Sequence, residues 1–329
     1  MGVLMSIVAG VLPMVFYAWI LYYLDRYERE PVKLLIGVFL WGAVIASGAA
    51  FVINSITSSG IYFLTHSEFA TQLTISTLVA PVVEESLKGA AVLMVFLFFR
   101  SEFDSLLDGL IYGGITALGF AATENAWYIH QLGYLEYGWQ GLIKMTVIRV
   151  ILVGWQHPFY TAFIGLGLAF SRRTKEPILR WIAPLIGWTI AVIFHLLHNL
   201  FAGLFQSNAG LIFATIWDWS GYLGLLLLIL LLIKREQRWM KEYLAVEYNQ
   251  EMLTAEQFQI ACSAWKQGLV LIRARFDGNY HQAKDLYQAC GDLMHKKRQL
   301  ARHGDELGTA LEVQRLRTEL QLLAAKSNL

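Results

Sequence analysis

Seven stretches of this chain, roughly 2–24, 33–56, 72–99, 105–130, 141–170, 181–204 and 210–233, are long and apolar enough to cross a bilayer as helices. A spanning helix needs about 20 mostly apolar residues. In hydrocarbon, every backbone N–H and C=O must find its partner inside the protein, so such segments fold as helices. Charge is distributed to match. Residues 1–233 hold 24 acidic and basic side chains, whereas the 96 residues of 234–329 hold 27. The sequence therefore predicts an all-α polytopic membrane protein: a transmembrane domain over 1–233 and a small cytosolic helical C-terminal domain over 234–329. A charged fraction of 16%, against about 25% in soluble domains, excludes a purely soluble enzyme. Disorder and a secreted disulfide scaffold are excluded too, since the two cysteines, Cys262 and Cys290, both lie in the polar tail. A net charge of +1 carries no nucleic-acid signal. The first stretch has no basic n-region and runs too long for a signal peptide, so it is read as a span.

Orientation follows from Lys and Arg in the short loops. Arg26, Arg29 and Lys33 follow span one, Arg100 follows span three, Arg172, Arg173, Lys175 and Arg180 follow span five, and Lys234, Arg235 and Arg238 follow span seven. The opposite loops, near 57–71, 131–140 and 205–209, contain no Lys or Arg. Seven spans with the N-terminus outside and the tail in the cytoplasm satisfy this alternation, and an even count breaks it. Trp139, Trp181, Trp217 and Trp219 near proposed span ends suit interfacial anchors. In the tail, Thr254 to Gln257 fits a capping box ahead of an apolar series at helical spacing. Breaks at Asp277-Gly278-Asn279 and His303-Gly304-Asp305 predict helices over about 255–275, 279–302 and 305–325. This bundle can regulate, dimerise or recruit a partner, and nothing in it suggests catalysis.

Ionisable groups inside a span are costly and by default mark function. Span three carries Glu84, Glu85 and Lys88. Glu84 and Lys88 are one turn apart and can pair, while Glu85 is rotated about 100° and addresses other neighbours. Two adjacent carboxylates with one Lys leave an excess negative charge, which suits a general base better than a structural ion pair. Span four adds Glu124 beside Asn125, with Asp108 nearer the interface. Span five carries His157, followed by Pro158, which weakens the helix locally. Lys144 and Arg149 lie toward its outer half, where they snorkel or neutralise these acids. Span six carries His195 and Asn199 on one face, with His198 about 60° away as a second functional group or a packing residue. At about 1.5 Å per residue, Glu84, Glu124, His157 and His195 all fall between about 9 and 24 Å from the outer end, so they can line one wet cavity.

Such a set can activate water and stabilise an oxyanion. It also resembles a metal site, since His and Glu are zinc ligands, with Glu124, His157 and His195 as the alternative metal set. The sequence lacks His-Glu-x-x-His, so no metal cofactor is favoured and zinc stands as the alternative. Buried Glu, His and Lys equally describe a proton-coupled transporter, but no inverted repeat with broken helices is found. A receptor shares the topology, yet its short outer loops and carboxylate cluster argue against it.

These segments resemble the PrsW family of intramembrane proteases. The resemblance covers residues 15–205. It rests on five motifs in order: Asp25 to Pro31 after span one, Glu84-Glu85-x-x-Lys88, Phe120-x-x-x-Glu124-Asn125, His157 with the run Phe159 to Gly167, and His195-x-x-x-Asn199. The family is similar in turn to the CAAX prenyl endopeptidases, whose Phe-x-x-x-His position is Glu124 here. The resemblance implies hydrolysis of a peptide bond in a single-pass membrane protein, such as an anti-sigma factor, on the extracytoplasmic side of the cell membrane. It implies Glu84 as the base, Glu85 and Lys88 setting its charge and position, His195 and Asn199 donating to the oxyanion, and His157 holding the water.

Overall fold

The structure, a computed structural model, describes residues 1–25, 27, 29–204, 208–305 and 308–326, and among them every regular element is helical. The chain divides into two compact units, one of Met1–Tyr23 with Glu30–Leu227 and one of Leu24–Arg29 with Leu228–Leu329.

The first unit is built from α1 (Gly2–Leu24), α2 (Val32–Thr65, with a π-helical turn at Trp41–Ala46), α3 (Glu68–Thr74), α4 (Ala80–Phe98), α5 (Leu106–Tyr128), α6 (Leu135–Thr146), α7 (Gln156–Arg173), α8 (Pro177–Leu204) and α9 (Asn208–Tyr243), the last extending into the second unit. Among the described residues, five helices are long and apolar enough to cross a membrane by length and composition. This makes a multi-pass membrane protein. α4 is not among them because it carries Glu84, Glu85 and Lys88. The run Leu106–Arg173 counts once, although Tyr137 and Gly138 leave the helical region at φ −130° and +59°. The chain turns back there. A Cβ on Gly141 would lie 2.1 Å from the Gly133 carbonyl oxygen, one on Gly113 2.8 Å from the Thr161 oxygen, and one on Gly165 1.7 Å from the Gly109 oxygen. One number of each pair rises as the other falls, so the two arms are antiparallel.

α5 is the centre of this unit. Every residue from Leu107 to Ala122 is buried. Without a hydrophobic drive between helices in lipid, association depends on close backbone approach and interhelical hydrogen bonds. Small residues provide the approach: α1 meets α5 at Gly10 and Ala126, α2 meets it at Gly119 and Phe39, and α8 meets α7 at Gly187 and Phe163. Asp108, read as interfacial in the sequence, caps α5. Its Oδ2 accepts from the Asp104 and Ser105 amides at 2.8 and 2.7 Å, while Ser105 Oγ accepts from the Leu107 and Asp108 amides. Glu30, from the motif after α1, accepts from the Tyr112 hydroxyl, while Arg26 and Glu28 of that motif lie outside the described residues.

The second unit contains α10 (Ala245–Asn249), α11 (Ala255–Ala261), α12 (Ala264–Phe276), α13 (Tyr280–His303) and α14 (Thr309–Lys326). The capping box of Thr254 and Gln257 forms. The helix expected over 255–275 is split at Cys262 and Ser263, because the Ser263 side chain starts a new helix by accepting from the Lys266 amide. Buried Glu247 joins α10, α13 and α14 by accepting from Lys297 at 2.8 Å and Arg317 at 2.9 Å. Tyr27 packs its backbone on Gly291, where a Cβ would lie 1.5 Å from the Tyr27 oxygen. Cys262 and Cys290 are free and buried. Burial pushes the Cys262 thiol up to about 11 and the Cys290 thiol up as well, so neither is a nucleophile at neutral pH.

The Gly109–Gly165 crossing sets how closely α5 and α7 approach. Gly165→Ala is expected to destabilise the detergent-solubilised protein by about 1–3 kcal/mol in thermal unfolding, through overpacking against backbone. Gly60→Ala, in α2 with open space around it, is expected to be neutral or slightly stabilising. Equal behaviour of the two variants would contradict this packing.

Candidate active site

Two local irregularities position the site. Before α4 the chain makes a π-helical turn over Ile75–Val79, in which the Ala80 amide bonds the Ile75 carbonyl. In that register Pro81 would serve the Ser76 carbonyl, but proline has no N–H. The Asn199 side-chain amide donates to Ser76 O instead, at 2.8 Å, and ties α8 to the start of α4. The second irregularity precedes α7. A π-helical turn at Val147–Leu152 ends at non-helical Val153, and the helix restarts at Gln156. Pro158 then falls in the first turn, where no amide bond is lost. This restart turns His157 into the bundle, and the π-turn carries Arg149. π-turns are rare and frequent at functional sites.

The side chains from α4, α5, α7 and α8 converge. Lys88 is fully buried at the centre. Its Nζ donates to Glu85 Oε1 at 2.6 Å and lies 3.2 Å from His157 Nδ1, 3.8 Å from Glu84 Oε2 and 4.4 Å from the centre of the Phe120 ring. The closest partner of Lys88 is thus Glu85, three residues back, rather than Glu84. Glu85 is the anchored carboxylate. Its Oε2 accepts from the Thr161 hydroxyl at 2.7 Å, and His195 Nδ1 lies 3.0 Å from its Oε1. Glu84 is the less engaged one. Its Oε2 is buried without a hydrogen-bond partner and lies 3.8 Å from His195 Nε2.

Partner chemistry assigns the imidazoles. A carboxylate only accepts, so His195 donates from Nδ1 to Glu85 and leaves Nε2 facing Glu84. An ammonium only donates, so His157 accepts at Nδ1 from Lys88 and donates from Nε2 to Glu124 Oε2, at 2.8 Å. Glu124 also pairs with Arg149, whose Nε donates to Asn125 Oδ1 at 3.0 Å. The expected neutralisation of the membrane acids falls to Arg149. Asn199, expected at an oxyanion, spends its amide on the main chain of the α3–α4 turn.

Nearby donor atoms of Glu84, His157 and His195 lie within 4.8 Å of one another. Glu84 takes the place expected for Glu124, whose Oε2 is held by Arg149 and His157. The set suits zinc in kind, but not in arrangement. Both His157 nitrogens are already engaged, and the Lys88 ammonium stands 3.2 Å from one donor and 3.8 Å from another. A divalent ion bound at about 2.0–2.2 Å from those donors would crowd that ammonium. That crowding weighs against an ion among these residues as arranged.

Beyond the expected set, the structure adds residues behind the site. Asp218 of α9 is buried, lies 2.7 Å from His198 Nδ1 and accepts from the Tyr160 hydroxyl at 3.3 Å. The Tyr160 ring stacks on His195 with centroids 5.1 Å apart and planes at 22°. His198 therefore belongs to this supporting group. Asp218 satisfies the same intramembrane-acid rule that found Glu84 and Glu124, and it is flanked by the two tryptophans read as interfacial anchors. Asp218→Ala is expected to cost about 3–5 kcal/mol of stability, as removal of one partner from a buried polar pair does. Unchanged thermal unfolding would show that the pair carries no structural weight.

The chain matches the family described as PrsW family intramembrane metalloprotease over residues 30–234. It is 26% identical to Protease PrsW of Geobacillus kaustophilus over 68% of this chain and 85% of that protein. It is 29% identical to Protease PrsW of Bacillus subtilis over 53% of this chain and 72% of that protein. A shorter match, 36% identical, is to Protease PrsW of Clostridioides difficile over 32% of this chain and 42% of that protein. No solved structure matches the chain.

Proposed function

The chain belongs to the PrsW family and is a peptidase, and from that premise we propose that it hydrolyses a peptide bond of a single-pass membrane protein with water activated by Glu84. The observation that carries this reading is the unpartnered Glu84 Oε2 set 3.8 Å from His195 Nε2. A water drawn from the cavity that Glu84 lines can donate to that carboxylate. Glu84 takes the proton as the water oxygen attacks the scissile carbonyl, and it returns that proton to the leaving amine. Glu85 holds both the imidazole of His195 and the ammonium of Lys88 in place. Lys88 is the cation nearest the reacting water, so it stabilises the negative charge that develops on the carbonyl oxygen. His157 links this centre to Glu124 and Arg149.

The reading extends to topology. α5, α6 and α7 form a hairpin, and α4 joins the apolar helices through its buried charges, which supports seven crossings. With every basic loop on one side, the N-terminus is extracytoplasmic and the tail cytoplasmic. Glu84 then lies toward the extracytoplasmic half of the membrane, which suits an anti-sigma-factor-like substrate cut on that side.

Glu84→Gln is expected to lower cleavage of a co-expressed single-pass reporter by at least about 100-fold, the contribution of a general base, while thermal unfolding is unchanged. Glu85→Gln is expected to lower activity and stability together, because it loosens Lys88, Thr161 and His195. Cleavage by Glu84→Gln at the wild-type rate would refute the assignment.

A further inference from the structure

A cavity of about 740 Å³ opens from Glu84 and Glu124 toward α2, with Asn54, Phe51, Phe120 and Trp127 among its walls. One water occupies roughly 30 Å³, so the cavity holds far more than a nucleophilic water. Asn54 is out of keeping with its helix. Its neighbours Val52, Ile53 and Ile56 are 53%, 40% and 68% exposed and stand outside the cavity lining, and a carboxamide in a membrane helix needs a partner. Ser47, Ser55 and Ser59 turn their hydroxyls back onto carbonyls four residues earlier in α2. The carboxamide oxygen of Asn54 is buried with no hydrogen-bond partner. Asn54 and Glu84, each with one side-chain oxygen that lacks a hydrogen-bond partner, thus line the same cavity from different helices.

We propose that Asn54 is a substrate-binding residue: its carboxamide pairs with a backbone peptide group of a substrate segment lying unwound in this cavity. The inference rests on the peptidase reading of Glu84. A carboxamide offers an acceptor and donors, the complement of a peptide group. A helical segment has its own N–H and C=O groups engaged and cannot make this pairing, so Asn54 selects polypeptide that has left the helix before it reaches Glu84. The walls fit that occupant, with aromatic rings for apolar side chains and, among the described residues, no Lys or Arg for a phosphate. Ser58 and Ile75 also line a second cavity, of about 600 Å³, that reaches Tyr62 and Glu68 beside the turn from α2 to α3. The unwound strand therefore has a polar track from that end of α2 down to Glu84.

The test uses the full chain in proteoliposomes with a single-pass reporter that the wild-type protein cleaves. Asn54→Leu is expected to raise KM about tenfold, as loss of one buried hydrogen bond does, with kcat within about twofold and unchanged thermal unfolding. Asn54→Gln keeps the carboxamide and is expected to recover part of the loss. In a Glu84→Gln background, a photo-crosslinking residue at 54 is expected to capture the reporter, and one at 56 to capture lipid only. An unchanged KM, a loss confined to kcat, or equal capture at 54 and 56 overturns the proposal. Retained cleavage by Glu84→Gln alone would overturn the assignment of the base and leave the KM comparison to judge Asn54.

Discussion

A single ammonium organises the polar centre of this membrane bundle. Lys88 has no access to solvent, and a charge in that position persists only where partners compensate the loss of hydration. It has them on three helices. Glu85 bonds it directly, His157 accepts from it, and Phe120 presents a ring face at 4.4 Å. Glu85 in turn fixes Thr161 and His195. Three carboxylates and two cations meet here, with Arg149 given over to Glu124. The carboxylate left over is Glu84. Its free oxygen is thus a consequence of how the other charges are paired.

The backbone serves this arrangement by being irregular where it must. Pro81 and Pro158 each remove a donor near a π-helical turn, and each loss is absorbed locally. One carbonyl is capped by Asn199, and the other proline sits where a helix begins. Further π-helical turns fall at Trp41–Ala46 and Ile129–Tyr134, and the helices meet largely through glycine. Rigid crossings around α5 hold the side chains, while the breaks before α4 and α7 aim them.

Much of this was legible in the sequence. The apolar stretch 2–24 became the helix Gly2–Leu24. Glu84, Glu124, His157 and His195 stood at overlapping depths, and they meet. What sequence spacing could not decide was which carboxylate Lys88 would take. Positions three and four residues away are equally near on a helix, and the choice went to Glu85 because Thr161 and His195 hold that carboxylate in place. Asn199 looked like a free amide because the orphaned Ser76 carbonyl comes from a π-turn that periodicity does not reveal. Thr161, Tyr160 and Asn54 carry no charge, so a search for intramembrane ions passes over them. Asp218 carries one and met the criterion, but its tryptophan neighbours drew attention to the interface instead.

The claim that separates this account from its nearest alternative is that Lys88, and not a metal ion, supplies the positive charge beside Glu84. Metal analysis of the purified protein, before and after dialysis against a strong chelator and alongside the cleavage rate, tests it most directly. A zinc content well below one ion per chain with the rate retained is the predicted result. One zinc per chain, removed together with activity and restored with it, would contradict the account.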